Sequence, residues 1–253
     1  MERNVGIRED PSLLLKDCRT VISLAYPYSS QKPSTADGLT VSRYSEPDHE
    51  DYHYRLKRLC KEITDLIQDI HGGGGTRICV DSAPILERSI AYSSGIGFFG
   101  KNNTLIIPDF GSYFFLAEIL TTAPLKIPEA ETMESRCGSC RLCIDSCPTR
   151  ALERPFCINA AECLSYRTIE LRDPVNEADG RKMGDCFFGC DKCQEVCPFN
   201  GEEEFKKTSL PPAEEFLRME EENFEERFGR TSLARAGLEK IKTNIRAILV
   251  GNS

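Results

Sequence analysis

At 253 residues the chain can bury a sizeable core and hold one large or two modest domains. Apolar residues make up 40% and charged residues 28%, which excludes a disordered or fibrous chain. The net charge of −8 weighs mildly against general nucleic-acid binding, and no apolar run is long enough to span a bilayer.

Residues 20–25 (TVISLA) are a β-branched apolar run ending near Pro27 and read as a buried strand. Residues 51–70 read as a helix. There Leu56, Leu59, Cys60, Ile63, Leu66, Ile67 and Ile70 recur at three- and four-residue spacing on one face. The glycine run at 72–75 reads as a flexible connection. A short strand is predicted over 77–81 and a helix over 84–94, with Pro84 in its first turn and Gly95 beyond its end. Strands, or a strand followed by a mixed segment, are expected over 104–107 and 113–120. Alternating strands and helices imply an α/β layer domain over the first half. Residues 124–133 read as a linker, a cysteine region follows, and helices are expected from Leu210 onward. The charge of this tail is split. Residues 201–226 hold ten Glu, whereas 227–253 carry six Lys and Arg against Glu239 alone. A basic stretch of that kind could face phosphates, although from charge alone a solvated helix face is the simpler reading.

The cysteine spacing carries the chemistry. Cys137, Cys140, Cys143 and Cys147 form C-x2-C-x2-C-x3-C-P, and Cys190, Cys193 and Cys197 form C-x2-C-x3-C-P. That is the spacing of a protein holding two 4Fe-4S clusters, in which the fourth cysteine of each run crosses to the other cluster. Cys137, Cys140, Cys143 and Cys197 would hold one cluster. Cys190, Cys193 and Cys147 would hold the other, with one ligand missing. Cys157, Cys163 and Cys186 are the candidates. Cys163 is preferred, because Cys186 sits too close to Cys190 in an unfamiliar spacing and Cys157 lies farther from the second run. Structural zinc does not explain the paired C-P runs. Thirteen cysteines without a signal peptide do not read as a disulfide scaffold. A cytoplasmic location is expected. Cys18, Cys60 and Cys79 lie in apolar segments and read as buried thiols.

Two further features stand out. Gly95, Gly97 and Gly100 match G-x-G-x-x-G, with Lys101 and Asn102 after them. The motif needs a strand before and a helix after, and the predicted order is the reverse. The glycines therefore imply a close backbone approach, either to a large flat cofactor or to a neighbouring strand. Asp81 ends a predicted strand, where α/β folds place their sites. It could donate a proton if an apolar cofactor face raised its pKa. The competing reading makes it the cap of the helix at 84–94.

Six stretches together resemble the cobalamin-dependent epoxyqueuosine reductases of tRNA queuosine synthesis. They are VDSAPILER (80–88), GIGFFGKNNTLI (95–106), GSYFFLAEILT (111–121), CGSCRLCIDSCPTRAL (137–152), CLSYRTIE (163–170) and FGCDKCQEVCPFN (188–200). The resemblance implies an α+β protein with three parts. These are a nitroreductase-like α/β cobalamin domain (1–130), a ferredoxin-like domain with two 4Fe-4S clusters (131–205), and a short helical tail (206–253) that begins a helical-repeat region. It implies reduction of epoxyqueuosine to queuosine at the tRNA wobble position, with cobalt as nucleophile, the clusters as its electron supply and Asp81 as proton donor. The cysteine of the family's C-[IL]-S-Y motif, here Cys163, is the missing ligand. Arg3, Arg43, Tyr44, Asp81, Lys101, Asn102 and Ser165 are the implied cobalamin neighbours.

The expected partners are tRNA carrying epoxyqueuosine and an electron donor that the sequence does not identify. The chain is expected to be monomeric and without a membrane. It departs from the family's pattern at Phe98 and Phe199, where tryptophan is usual, and resembles a member shortened at both ends. The alternatives are a cobalamin-dependent reductase of another substrate, or a non-enzymatic two-cluster electron carrier.

Overall fold

The computed structural model describes residues 5–126, 130–201 and 206–251; Arg3 and part of the expected linker lie outside them. The first elements are α1 (Val5–Glu9), β1 (Thr20–Pro27), β2 (Lys32–Thr35), β3 (Thr40–Val41), α2 (Tyr52–His71), β4 (Thr76–Cys79), α3 (Glu87–Ser93), β5 (Phe98–Phe99), β6 (Leu105–Ile106) and β7 (Phe114–Thr121). Strand β7 is the centre of an antiparallel sheet ordered β1-β7-β4. Its side chains alternate between two faces, as the pleat requires. Phe115, Ala117 and Ile119 pack with Leu56 and Cys60 of α2. Leu120 packs with Cys79 and Ile85 on the opposite side, where Ile90 of α3 closes the layer.

Helix α2 follows its predicted span closely. The Asp51 side chain accepts from the His53 N–H at its start, and Gly72 at φ +70° ends it. The apolar face is narrower than its spacing suggested. Leu56, Cys60 and Ile67 are buried, whereas Leu66 and Ile70 are exposed. The sheet beneath the helix has only three strands and does not reach them. The glycine run expected to be a flexible connection turns sharply, with Gly72, Gly73 and Gly74 all at positive φ.

Strands β5 and β6 form a hairpin, with Phe98 opposite Ile106. The G-x-G-x-x-G motif lies in it. A Cβ on Gly97 would run into the backbone of Ile106. The glycine is there for strand contact, which settles the choice between cofactor and neighbouring strand at that position. Helix α3 is shorter than predicted and leaves Pro84 outside.

The second half comprises α4 (Leu142–Asp145), β8 (Leu152–Arg154), β9 (Cys157–Ile158), α5 (Leu164–Ile169), α6 (Glu177–Met183), β10 (Cys186–Phe188), α7 (Lys192–Glu195), β11 (Lys206–Leu210), α8 (Ala213–Arg218), α9 (Glu221–Phe228) and α10 (Leu238–Gly251). The two halves interleave. A four-stranded sheet runs β10-β3-β2-β11, so residues 32–41 lie between strands that come more than 140 positions later. The expected helical tail thus begins with a strand. Its helices do not stand apart either. Phe216, Phe224, Leu233, Ile241 and Ile245 share one core with Val41, Leu164, Phe187 and Phe188.

Helix α10 lies directly on α6, where a Cβ at Gly180 would strike the Ala247 carbonyl. Gly180→Ala should therefore force the helices apart and cost about 1–3 kcal/mol, the usual penalty for overpacking. A lowered urea midpoint with unchanged slope would register it; an unchanged midpoint would show that the crossing has slack.

Candidate active site and cluster cradle

Cys137, Cys140, Cys143 and Cys197 line one cavity of about 160 Å³, together with Lys101, Asn102 and Phe199. These are the four cysteines that the crossover rule assigns to one cluster. Local turns aim them inward: the Cys140 N–H donates to the Cys137 carbonyl at 2.9 Å, and α4 lies against α7. Cys163, Cys190 and Cys193 form a second group: the Cys163 charge acts on both other thiols, and that of Cys190 acts on Cys193. Burial, with the charges of Cys186, Asp191 and Cys163 adding to it, pushes Cys190 up to about 12, and burial with the charges of Cys190 and Cys163 raises Cys193. Cys190 and Cys193 therefore resist ionisation until a cation stands beside them, which is the electrostatics of a metal-cluster cradle.

Cys147 follows α4. Its pKa is lowered, because hydrogen bonds at Leu152, Thr149 and Ala151 together outweigh burial. Cys186 donates its thiol to the carbonyls of Phe188 at 3.4 Å and Gly189 at 3.6 Å and is a structural cysteine. Cys157 sits on β9, half-buried. Among the described residues no three His, Cys, Asp or Glu side chains converge to single-ion spacing; the four thiols share a wider cavity.

A larger cavity, about 280 Å³, opens between the sheet and the second cysteine run. Tyr28, Tyr44, Tyr52, Asp81, Glu87 and Gln194 are among its walls. Gln194 follows Cys193 directly, so Asp81 and a cluster turn face the same space. Asp81 lies two residues past β4 at φ +51°, a left-handed conformation uncommon for a residue with a side chain. Its carboxylate Oδ2 stands 3.4 Å from His53 Nε2 and 3.0 Å from Arg235 Nη1. The His53 hydrogen bond, reinforced by Arg235, holds the carboxyl well below the usual range against partial desolvation. Asp81 does not cap a helix, because α3 starts six residues later with Leu86 at its cap position.

The contacts continue on both sides. His53 Nδ1 is 2.6 Å from Asp51 Oδ1. Asp51 first, and Asp81 second, hold the imidazole up at about 9 against burial. Arg235 Nε is 2.5 Å from Glu170 at the end of α5, the helix that Cys163 begins. The Asp81 N–H donates to Glu87 Oε1 at 2.5 Å. Burial raises Glu87 to about 7, with the Asp81 charge adding to it. Behind Glu87 lies Glu118 of β7, raised to about 8 by burial and by Glu87.

The implied cobalamin neighbours divide. Asp81 and Tyr44 line the larger cavity. Arg43 is buried instead, with Nη1 2.8 Å from Glu195 and 3.3 Å from Asp191, beneath the Cys190–Cys193 turn. Lys101 Nζ donates to the carbonyls of Gly138 at 2.5 Å and Cys140 at 2.8 Å. Asn102 Nδ2 donates to the Cys193 carbonyl at 3.2 Å. These three residues brace cluster turns. Ser165 lies in the first turn of α5, half-buried. Sequence reasoning did not find His53, Arg235 or Glu118. The one signal for Glu118 was a carboxylate inside the apolar run FFLAEIL.

Comparison with known proteins gives a consistent result. Residues 8–82 match a family model described as epoxyqueuosine reductase QueG, and residues 136–200 match a 4Fe-4S double cluster binding domain. An epoxyqueuosine reductase of Leadbetterella byssophila is 37% identical over 253 residues, covering 97% of this chain and 82% of the relative. The crystal structure of an epoxyqueuosine reductase with an epoxyqueuosine-modified tRNA-Tyr stem loop superposes with a TM-score of 0.86 at 31% identity. It covers 99% of this chain and 69% of that one. A Bacillus subtilis epoxyqueuosine reductase, whose aspartate-bearing catalytic loop is swung out of the active site, superposes at 0.84 and 30%, with the same coverage.

Proposed function

The chain belongs to the epoxyqueuosine reductase family, an oxidoreductase family, and we propose that it reduces epoxyqueuosine to queuosine at the wobble position of tRNA. The proposal includes cobalamin in a nitroreductase-like first domain (1–130), two 4Fe-4S clusters in the second (131–205), a C-terminal region (206–253), and a cytoplasmic monomer. The observation that carries it is the cavity walled by Asp81 on one side and by Gln194, the residue after Cys193, on the other. An acid and an electron source meet there.

The donor set fits the groups it would hold. Cys137, Cys140, Cys143 and Cys197 would ligate one cluster, and Cys147, Cys163, Cys190 and Cys193 the other. The aromatic walls Tyr28, Tyr44 and Tyr52 suit an extended ring cofactor that excludes water from the reacting face. When bound, cobalamin supplies a strongly nucleophilic metal centre.

The protein's part is acid–base and positional. Opening an epoxide needs a proton on the leaving oxygen, and Asp81 is the proposed donor. His53 and Arg235 aim its carboxyl and hold it ionised until a proton arrives. His53, raised to about 9, carries a proton at neutral pH and stands 3.4 Å away. Lys101 and Asn102 tie the hairpin at β5 and β6 to both cluster turns, which fixes the distance between clusters and cavity.

Anaerobic turnover tests the reading. Reconstituted protein, cobalamin and dithionite would be mixed with a tRNA stem loop carrying epoxyqueuosine, and the digested nucleosides read by mass spectrometry. Queuosine is expected. Its absence, with iron and corrinoid both bound, would refute the assigned substrate.

A further inference from the structure

Reducing an epoxide to an alkene consumes two electrons and two protons. Both C–O bonds break, the C=C bond forms, and the oxygen leaves as water. Asp81 accounts for one proton per turnover. The other reaches the same cavity either through a reloaded Asp81 or from a second acid, and the cavity holds one.

Glu87 is that cavity's other carboxyl wall. Behind it Glu118 is wholly buried. Its Oε1 accepts from Ser23 Oγ at 3.2 Å, whereas Oε2 receives no N–H or O–H donor. Glu87 stands within hydrogen-bonding reach of this carboxyl. Two carboxylates are both acceptors, so the contact closes only when a proton lies between them. The neighbours of Glu118 offer it no cation. Glu118 stands opposite Ser23 of β1 and Cys79 of β4, neither of them cationic. Glu87 is faced by Asp81, His53 and Arg88 at its outer end.

We propose that Glu87 delivers the second proton of the reduction into the cavity, and that Glu118 behind it is a positioning residue that keeps a proton shared between the two carboxyls. This rests on the reaction proposed above. The electrons come from a low-potential one-electron reductant by way of the clusters, and Glu87 regains its proton from water at the cavity mouth.

Infrared titration and kinetics together test it. Wild-type protein at pH 7 should show a protonated-carboxyl C=O band that disappears as pH rises past about 8; the Glu87→Gln, Glu118→Gln double variant should lack it. Glu87→Gln should keep iron, corrinoid and stem-loop affinity yet lose about 10²-fold or more in kcat. Glu118→Gln should move the alkaline fall in turnover down by about one pH unit, because the pair's upper titration is raised by the sharing. No band at pH 7 overturns the proton store, and the wild-type spectrum decides this even if a variant fails to fold. Wild-type kcat in Glu87→Gln at every pH overturns the donor role. A band present while the wild type forms no queuosine refutes the reaction itself, and the donor role with it.

Discussion

Asp81→Asn should retain both clusters and the corrinoid and lose about 10²–10⁴-fold in turnover, the range expected when a positioned general acid is removed. The substitution is close to isosteric and keeps the N–H that donates to Glu87 Oε1, so the loop has no steric reason to move. What it removes is charge. His53 then keeps only Asp51 as an anionic partner, and its pKa should fall from about 9 toward the ordinary 6.5.

The stability consequences have opposite signs. The depressed Asp81 pKa gives stabilisation present above about pH 4 and lost as pH falls through its lower folded value. The raised His53 pKa gives stabilisation present below about pH 6.5 and lost as pH rises through about 9. In the variant the first vanishes and the second shrinks. The Asp81 side chain is 41% exposed, so both effects are softened by solvent. Nucleoside analysis, iron content and the proton NMR titration of His53 make the check. Turnover within a few-fold of wild type would remove Asp81 from the mechanism.

The cluster chemistry was legible because ligand spacing is local. A C-x2-C-x2-C run must turn back on itself, and one crossing cysteine, Cys197, brings the two runs together in a single cavity. The proton side was hard to read, because its parts are remote in sequence and bland in type. His53 reads as one polar residue in the first turn of a helix. Arg235 belongs to a basic stretch whose simplest reading is a solvated face, yet it reaches Asp81 across 154 positions. The pairing of 32–41 with β10 and β11 was equally hidden. Strands of two and four residues have no readable period, and parallel pairing leaves no hairpin turn to announce it. The glycine motif misled in a physically instructive way. Close backbone approach was the right inference, and the neighbour was the strand at Ile106.

Cys163→Ala should remove about half of the bound iron, because only the second cluster loses a ligand. Three thiols compete for that place, and their surroundings differ. Cys186 directs its Sγ to two backbone carbonyls within β10 and its following turn, and burial pushes its thiol up to about 11. It is committed to the strand, and Cys186→Ala should leave iron unchanged. Cys157 pairs with Arg154 on the small hairpin of β8 and β9, and its removal should also be silent. Cys163 acts on the thiols of both Cys190 and Cys193, whereas Cys186 acts on Cys190. Its loss should reach further than iron. Cys163 starts α5, α5 ends at Glu170, and Glu170 holds the arginine that holds Asp81. A vacated ligand position would loosen the helix that helps aim the acid, so turnover should fall further than the iron count alone accounts for. Iron analysis with electron paramagnetic resonance of the reduced protein separates the cases. Full iron in Cys163→Ala with a deficit in Cys157→Ala would transfer the ligand to Cys157 and break this link between cluster and acid.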